Sequence, residues 1–217
     1  NNFMEFEFIY NPVPLIIIRD IFTKKENEEI LAEAIKNKNK FKHAVIGSGK
    51  KPAFRSNKTA YYDDIYTNDR TKSNLLTKLD ELFADIKFQE MLASAQYPIY
   101  LFSQSNYHES QVSRYGDGGQ HYKYHIDAFN DNQRQVTVVY YFHEEPKRYK
   151  GGEIQFTQSP IYKGEPIDKN VEPITIVPEN NMMVIFGSKV AHRVLPTTSP
   201  KTFDSGRFSV NCWIGKR

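Results

Sequence analysis

A single cysteine, Cys212, stands in this chain, so no intrachain disulfide braces it and no cysteine-rich metal site is available. No apolar run approaches the ~18 residues of a spanning helix, which leaves no membrane partner. The first residues show no basic patch followed by an apolar stretch, so no secretory signal is read and a cytoplasmic protein is expected. Charge of one sign is also in short supply as a signal. The 29 Lys and Arg exceed the 26 Asp and Glu by only three, without a dense basic block. That surplus is too mild to point to nucleic acid. Internal repeats, heptads and low-complexity tracts are absent as well.

Aromatic side chains, in contrast, are plentiful: 15 Phe and 14 Tyr suit a β-rich core. The 217 residues fit one domain, with helical support over about 1–96 and a strand-rich core over about 97–217. Residues 12–22 predict a buried strand leading into a helix. Thr23 with Glu26 three residues on makes a capping box. Ile30, Leu31, Ala34 and Ile35 then recur at helical spacing, a packing stripe. Leu75, Leu76, Leu79, Leu82, Phe83 and Ile86 predict a second amphipathic helix. Between the two helices, Phe41 to Asp64 is polar and reads as a mobile surface hairpin. From Tyr97 onward, strands are predicted near 98–106, 110–116, 121–127, 135–143, 152–157, 172–177, 182–186, 190–195 and 206–214, with a long loop at Lys163–Asn170. The last eight would form two four-stranded sheets. The expected class is therefore mainly β with flanking helices around a jelly-roll, or double-stranded β-helix, core.

The stretch that carries chemistry is Gln120-His-Tyr-Lys-Tyr-His-Ile-Asp127. On a strand, His125 and Asp127 leave from the same face, one pleat apart, and can close on one ion from adjacent corners. His121 and His125 also form His-x-x-x-His, a zinc pattern on a helix. The glycines just before, and the interleaved Tyr122, Tyr124 and Ile126, argue for a strand instead. There the two histidines stand roughly 13 Å apart, too far to share an ion. A third ligand must come from elsewhere, and His192 is the best candidate. Two histidines and one carboxylate with the opposite positions open make the facial triad of non-haem Fe(II) oxygenases. Most histidines only pack or face solvent, and His-x-Asp alone arises by chance, so the pair needs company.

That company lies in Gly206-Arg-Phe-Ser-Val-Asn-Cys-Trp-Ile214. Arg207, Ser209, Asn211 and Trp213 alternate with Phe208, Val210, Cys212 and Ile214, which puts Arg207 on an inward face. Unpaired there, it would cost several kcal/mol. A bound dicarboxylate would remove that cost through a bidentate pair. The simpler alternative is a protein carboxylate, or solvent.

The pattern His125-x-Asp127, His192 and Arg207-x-Ser209 resembles the 2-oxoglutarate- and Fe(II)-dependent dioxygenases, specifically their prolyl 4-hydroxylase branch. The likeness runs from about Gln111 to Ile214. Gln111-Val-Ser-Arg-Tyr-Gly-Asp-Gly-Gly-Gln120 is similar to the strand and glycine turn before the metal pair in that family. Val136-Thr-Val-Val-Tyr-Tyr-Phe142 is similar to the next core strand, and Gly151-Gly-Glu-Ile154 to a Gly-Gly turn. The resemblance implies that His125, Asp127 and His192 ligate iron and that Arg207 holds the distal carboxylate of 2-oxoglutarate. It implies Tyr115 and Tyr141 as hydroxyl partners of that cosubstrate, with Ser209 assisting. Tyr122, Arg134 and Trp213 would line the pocket of a substrate proline, and the segment near Phe41–Asp64 would close over the peptide. The implied reaction hydroxylates proline in a peptide or protein. Fe(II), 2-oxoglutarate and O2 are consumed or held, ascorbate is the reductant, and succinate and CO2 are formed. One departure concerns the basic residue, which follows His192 by 15 positions (207 − 192), longer than in many relatives. Lys201 is therefore a rival anchor, although it sits in a Pro-flanked loop and Arg207 in a clear strand. Free amino acids or other small molecules are alternative substrates. A nucleic-acid demethylase would carry a second Arg six positions after the first, where Trp213 stands. A metal-free jelly-roll binding module would need none of these residues. Asp127 supports hydroxylation, since a small residue there would admit chloride and suggest a halogenase.

Overall fold

Residue parity along the strands sets the layers of this molecule. The computed structural model describes residues 4–47, 49–128 and 133–217. In chain order the strands among them are β1 (Glu5–Ile9), β2 (Leu15–Arg19), β3 (Lys42–His43), β4 (Lys58–Tyr61), β5 (Tyr107–Tyr115), β6 (Gln120–His125), β7 (Arg134–Phe142) and β8 (Lys150–Gly151). They continue with β9 (Ile154–Thr157), β10 (Ile161–Tyr162), β11 (Glu165–Pro166), β12 (Ile174–Ile176), β13 (Met182–Gly187), β14 (Ala191–Thr198) and β15 (Arg207–Gly215). The helices are α1 (Lys24–Lys36), α2 (Tyr62–Ile65), α3 (Asn74–Ala84) and α4 (Ile86–Ala93). One large sheet runs β1-β2-β13-β7-β15-β5-β4-β3, and a smaller one runs β12-β9-β14-β6 with β8 beside β14. The eight strands expected after residue 110 are all there, four in each sheet, as a jelly-roll requires. The N-terminal region adds β1 and β2 to one edge of the large sheet and β3 and β4 to the other, as well as helices.

On β15, Phe208, Val210, Cys212 and Ile214 face outward. They join Ile30, Leu75, Leu76, Leu79 and Phe83 of α1 and α3 in one buried cluster. Burial of each such large side chain is worth about 1.5–3 kcal/mol. A second cluster, including Leu15, Ile17, Tyr141, Phe156 and Phe186, lies on the opposite, inner side of the large sheet. Arg207, Ser209 and Trp213 share that inner side and are buried. Thr23 and Glu26 form the expected capping box, their reciprocal bonds 3.1 and 2.9 Å long. No helix among the described residues is long and apolar enough to cross a membrane.

Four expectations need correction. Residues 98–106 do not form a strand; Ile99–Gln104 wind into a 3-10 helix. Its tight turn brings Ile99 and Phe102, three apart, onto the helix-side core. Ile86 does not extend the stripe of α3. Asp85 ends that helix and caps α4 by accepting from Phe88 N at 2.9 Å, which leaves Ile86 exposed in the new first turn. The segment Phe41–Asp64 is more than a surface hairpin, because β4 pairs along β5 and both Arg55 and Asn57 are buried. Lys163–Asn170 is partly ordered as the β10–β11 hairpin, whose turn residues Lys163 and Gly164 both have positive φ.

Candidate functional site

Neighbouring strands β6 and β14 set His125 opposite His192 in register. β6 ends at His125, two residues short of Asp127, so the carboxylate is placed by a bend and not by strand pleating. The backbone N–H groups of Asp127 and Ala128 both donate to Ser188 O, at 2.8 and 3.0 Å, and fix that bend. The ligand atoms of His125, Asp127 and His192 thereby fall within 4.8 Å of one another. No other group of three His, Cys, Asp or Glu converges so among the described residues. His121 lies outside the cluster, its ring bonded toward Ala53 O and Gly119 O.

Orientation within the cluster suits a cation. The Nδ1–H of His125 donates to Lys123 O and that of His192 to Val190 O, each at 2.8 Å. Because a carbonyl only accepts, both rings keep the Nε2 lone pair free. Each Nε2 stands 3.5 Å from Asp127 Oδ1. The other carboxylate oxygen, Oδ2, accepts from Thr137 Oγ1 at 2.8 Å, and Thr137 is linked in turn to the Ser188 hydroxyl. Ligands ~2.1 Å from one ion at right angles sit about 3 Å apart, so the two 3.5 Å pairs need only a small contraction. Burial, helped by the nearby His192, lowers the pKa of His125 to about 3. Burial opposes ionisation of Asp127 too, but the His192 and His125 imidazoles hold its carboxyl well below the usual range. Burial pulls His192 down, and Asp127 more than reverses it. Two nitrogen donors and one ionised oxygen donor fit a divalent first-row metal such as Fe(II).

Deeper in the same cavity Arg207 is 1 % exposed, yet no carboxylate pairs with it among the described residues. Its Nε donates to Gly152 O at 2.7 Å. Its guanidinium lies 4.7 and 5.0 Å from the ring centroids of Tyr115 and Tyr141. Gly152 is required here: its φ is +71°, and a Cβ would sit 2.5 Å from Arg207 Cδ. The Tyr141 hydroxyl and Thr197 Oγ1 are buried without hydrogen-bond partners. Burial pushes the Tyr141 phenol up to about 12, so it remains a donor. Ser209 is buried between Ser113 and Tyr141 across the sheet. Lys201, the rival to Arg207, is exposed. A buried cation with unmet hydroxyl donors fits one end of a dicarboxylate such as 2-oxoglutarate.

At the mouth, the Tyr122 ring lies parallel to His125, centroids 3.5 Å apart. The Arg55 guanidinium, bonded to Asn57 and Gln111, stands 4.4 Å from the Tyr122 centroid. Trp213 and Arg134, expected at the substrate pocket, are not among the residues that line this cavity; they stack on each other beside it, the Arg134 guanidinium 3.9 Å from the Trp213 ring. Arg134 Nη1 donates to Asp127 O at 3.3 Å, which ties this pair to the cluster. Only about 20 Å³ is free inside, room for about one water. Grooves of about 400 and 470 Å³ open on the outer surface beside α3 and α4, but neither gathers such a donor set. Volume alone therefore does not mark the chemistry. Thr137 was within reach of the sequence, since it shares inward parity with Val139 and Tyr141 on β7. Arg55, in a loop without periodicity, gave no signal.

Residues 110–215, which contain the whole cluster and Arg207, match the 2OG-Fe(II) oxygenase superfamily. The chain is 29% identical to an uncharacterized PKHD-type hydroxylase from a Synechocystis species over 97% of its own length. It spans 66% of that relative, just under two thirds. Among solved structures it is similar to a Pseudomonas putida prolyl-4-hydroxylase, with a TM-score of 0.65 and 17% identity over 94% of each chain. It is also similar to a Trichoplax adhaerens prolyl hydroxylase in complex with a peptide fragment of the hypoxia inducible factor oxygen degradation domain. That match has a TM-score of 0.67 and 17% identity, covering 95% of this chain and 85% of the other. These likenesses establish the fold, which does not by itself fix a substrate.

Proposed function

We propose that this chain, whose residues 110–215 match the 2OG-Fe(II) oxygenase superfamily, hydroxylates proline in a peptide or protein substrate. The observation that carries this reading is a His125–Asp127–His192 cluster, its Asp127 and His192 buried, sharing one cavity with a buried guanidinium that pairs with no carboxylate among the described residues. In our assignment His125 and His192 would hold Fe(II) through Nε2 and Asp127 through Oδ1, the oxygen that faces both imidazoles while Oδ2 accepts from Thr137. Arg207, with the Tyr141 and Tyr115 hydroxyls and help from Ser209, seats 2-oxoglutarate by its distal carboxylate. Together with O2, iron and 2-oxoglutarate supply the oxidising power to hydroxylate an unactivated C–H bond, giving succinate and CO2, with ascorbate as external reductant. The residues of the chain position the reacting carbon and keep water out. We assign Tyr122, Trp213 and Arg134 to the neighbourhood of the pyrrolidine ring, where Tyr122 is stacked on His125 and under Arg55, and Trp213 is covered by Arg134. The kinship in fold with two prolyl hydroxylases, one in complex with a peptide fragment, supports proline in a peptide.

A second reading, a free amino acid as substrate, draws support from the closeness of the mouth, where Tyr122 lies against His125. Mass spectrometry separates the two. Purified protein with Fe(II), 2-oxoglutarate and ascorbate is given a library of proline-containing peptides and, separately, free amino acids. Peptides should gain the mass of one oxygen atom at proline, with matching succinate. Oxygen gained by free amino acids alone would replace the peptide reading with the second one.

A further inference from the structure

Thr197 lies on β14, the strand that carries His192. Counting by two from His192 places Val194 and Pro196 inward and turns Thr197 to solvent. The molecule does the reverse: Thr197 is fully buried and Pro196 is exposed. The register of β14 against β6 shifts between His192 and Val194 and again between Val194 and Thr197. Irregularities of this kind re-aim the side chains that follow.

The re-aimed hydroxyl arrives beside Arg207. The point a Cβ at position 152 would occupy lies 2.9 Å from Arg207 Nε and 3.0 Å from Thr197 Oγ1. The backbone around Thr197 is pinned, since its carbonyl accepts from Gly119 N at 3.0 Å and the residue pairs with Gly151. Nevertheless Oγ1 has no hydrogen-bond partner. A buried hydroxyl held in place and left unbonded is a cost the fold would shed if it were incidental. Its oxygen has not turned to the neighbouring cation as an acceptor, so its proton is available to an anion seated there.

We propose that Thr197 donates a hydrogen bond to the distal carboxylate of 2-oxoglutarate, beside Arg207 and Tyr141. This role rests on the function proposed above and adds a donor to it. The test uses protein loaded with Mn(II), which takes the same ligands, and measures dissociation constants by calorimetry. The two probes are 2-oxoglutarate and 2-oxopentanoate, which keeps the keto acid but lacks the distal carboxylate. Thr197→Val should weaken 2-oxoglutarate about tenfold or more, as expected for loss of a bond to a charged group. Binding of 2-oxopentanoate should change less than twofold, and Thr197→Ser should recover most of the affinity for 2-oxoglutarate. If Thr197→Val does not fold, Thr197→Ala takes its place. Affinity for 2-oxoglutarate within twofold of the parent, or equal losses for both probes, overturns the role of Thr197 and leaves the wider function standing. A parent protein that binds no 2-oxoglutarate at all overturns both.

Discussion

Substituting Ala for Gly152 perturbs the seat of Arg207 without altering Arg207 itself. Gly152 has φ +71°, a left-handed conformation that costs an L-residue about 1–2 kcal/mol. The new methyl would also lie 2.5 Å from Arg207 Cδ, 2.9 Å from its Nε and 3.0 Å from Thr197 Oγ1. Both neighbours are buried, so relief requires repacking at a further cost of about 1–3 kcal/mol. The loss of stability should then total about 2–5 kcal/mol. For a chain of this length that lowers the melting temperature by roughly 5–20 °C. The guanidinium must also leave its 2.7 Å bond to Gly152 O, which should cut affinity for 2-oxoglutarate at least tenfold. Gly118→Ala is the control, because Gly118 has φ +89° but nothing within 4 Å of its missing Cβ. It should carry the backbone cost alone, with affinity unchanged. Thermal unfolding and calorimetry of the Mn(II) forms provide both readouts. Identical melting and binding in the two variants would refute the packing of Arg207 against Gly152.

His192→Ala should abolish metal-dependent turnover and the thermal stabilisation by Mn(II), about 2.7 kcal/mol at a hundredfold excess over the dissociation constant; retention of either removes His192 from the ligand set. Trp213→Ala should raise KM for a proline peptide at least tenfold while leaving 2-oxoglutarate affinity within twofold, as measured by succinate release and calorimetry. Metal and 2-oxoglutarate should bind with positive coupling, because the cavity holds one buried anion, Asp127, and one buried cation, Arg207. A divalent ion and a dianion together leave it neutral, whereas either alone leaves two net charges buried; equal 2-oxoglutarate affinity with and without Mn(II) would contradict this. Burial lowers the pKa of His108, on the helix side of the sheet, from its usual value. The unfolded chain therefore takes up a proton that the folded one resists, and this contribution to stability, full above pH ~6.5, is lost as pH falls towards the folded pKa. His108→Gln should flatten the decline in melting temperature between about pH 7 and 5.

The jelly-roll was legible because alternation survives in its core strands. β15 keeps one parity for nine residues, so Phe208, Val210, Cys212 and Ile214 could be assigned to the helix side before any coordinates. Residues 98–106 misled for a physical reason. Tyr-Pro-Ile-Tyr-Leu-Phe is apolar and rich in strand formers, and a short run of that kind carries no period of its own. The spacing of the two side chains that reach the core, Ile99 and Phe102, shows the 3-10 turn only once the packing is known. Phe41–Asp64 failed similarly. Its polar composition is that of a surface loop, while Arg55 and Asn57 are buried by hydrogen bonds to each other and from Arg55 to Gln111, partners no local pattern announces.

Within the candidate site, legibility followed the energetic scale of what each residue disturbs. An arginine on an inward strand position costs several kcal/mol if unpaired, so it could be noticed from sequence, although a protein carboxylate or solvent remained the simpler partner there. A His-x-Asp pair next to a glycine turn is a similar anomaly, and the structure does bring both residues to His192. Thr137 and Thr197 disturb far less, since a threonine is ordinary on either face of a strand. Thr137 could still be placed by counting from Tyr141. Thr197 could not, because two irregularities of register separate it from His192 and reverse its parity. A side chain that lies beyond a bulge becomes readable only through the backbone that turns it, and here that backbone turns an unbonded hydroxyl toward Arg207.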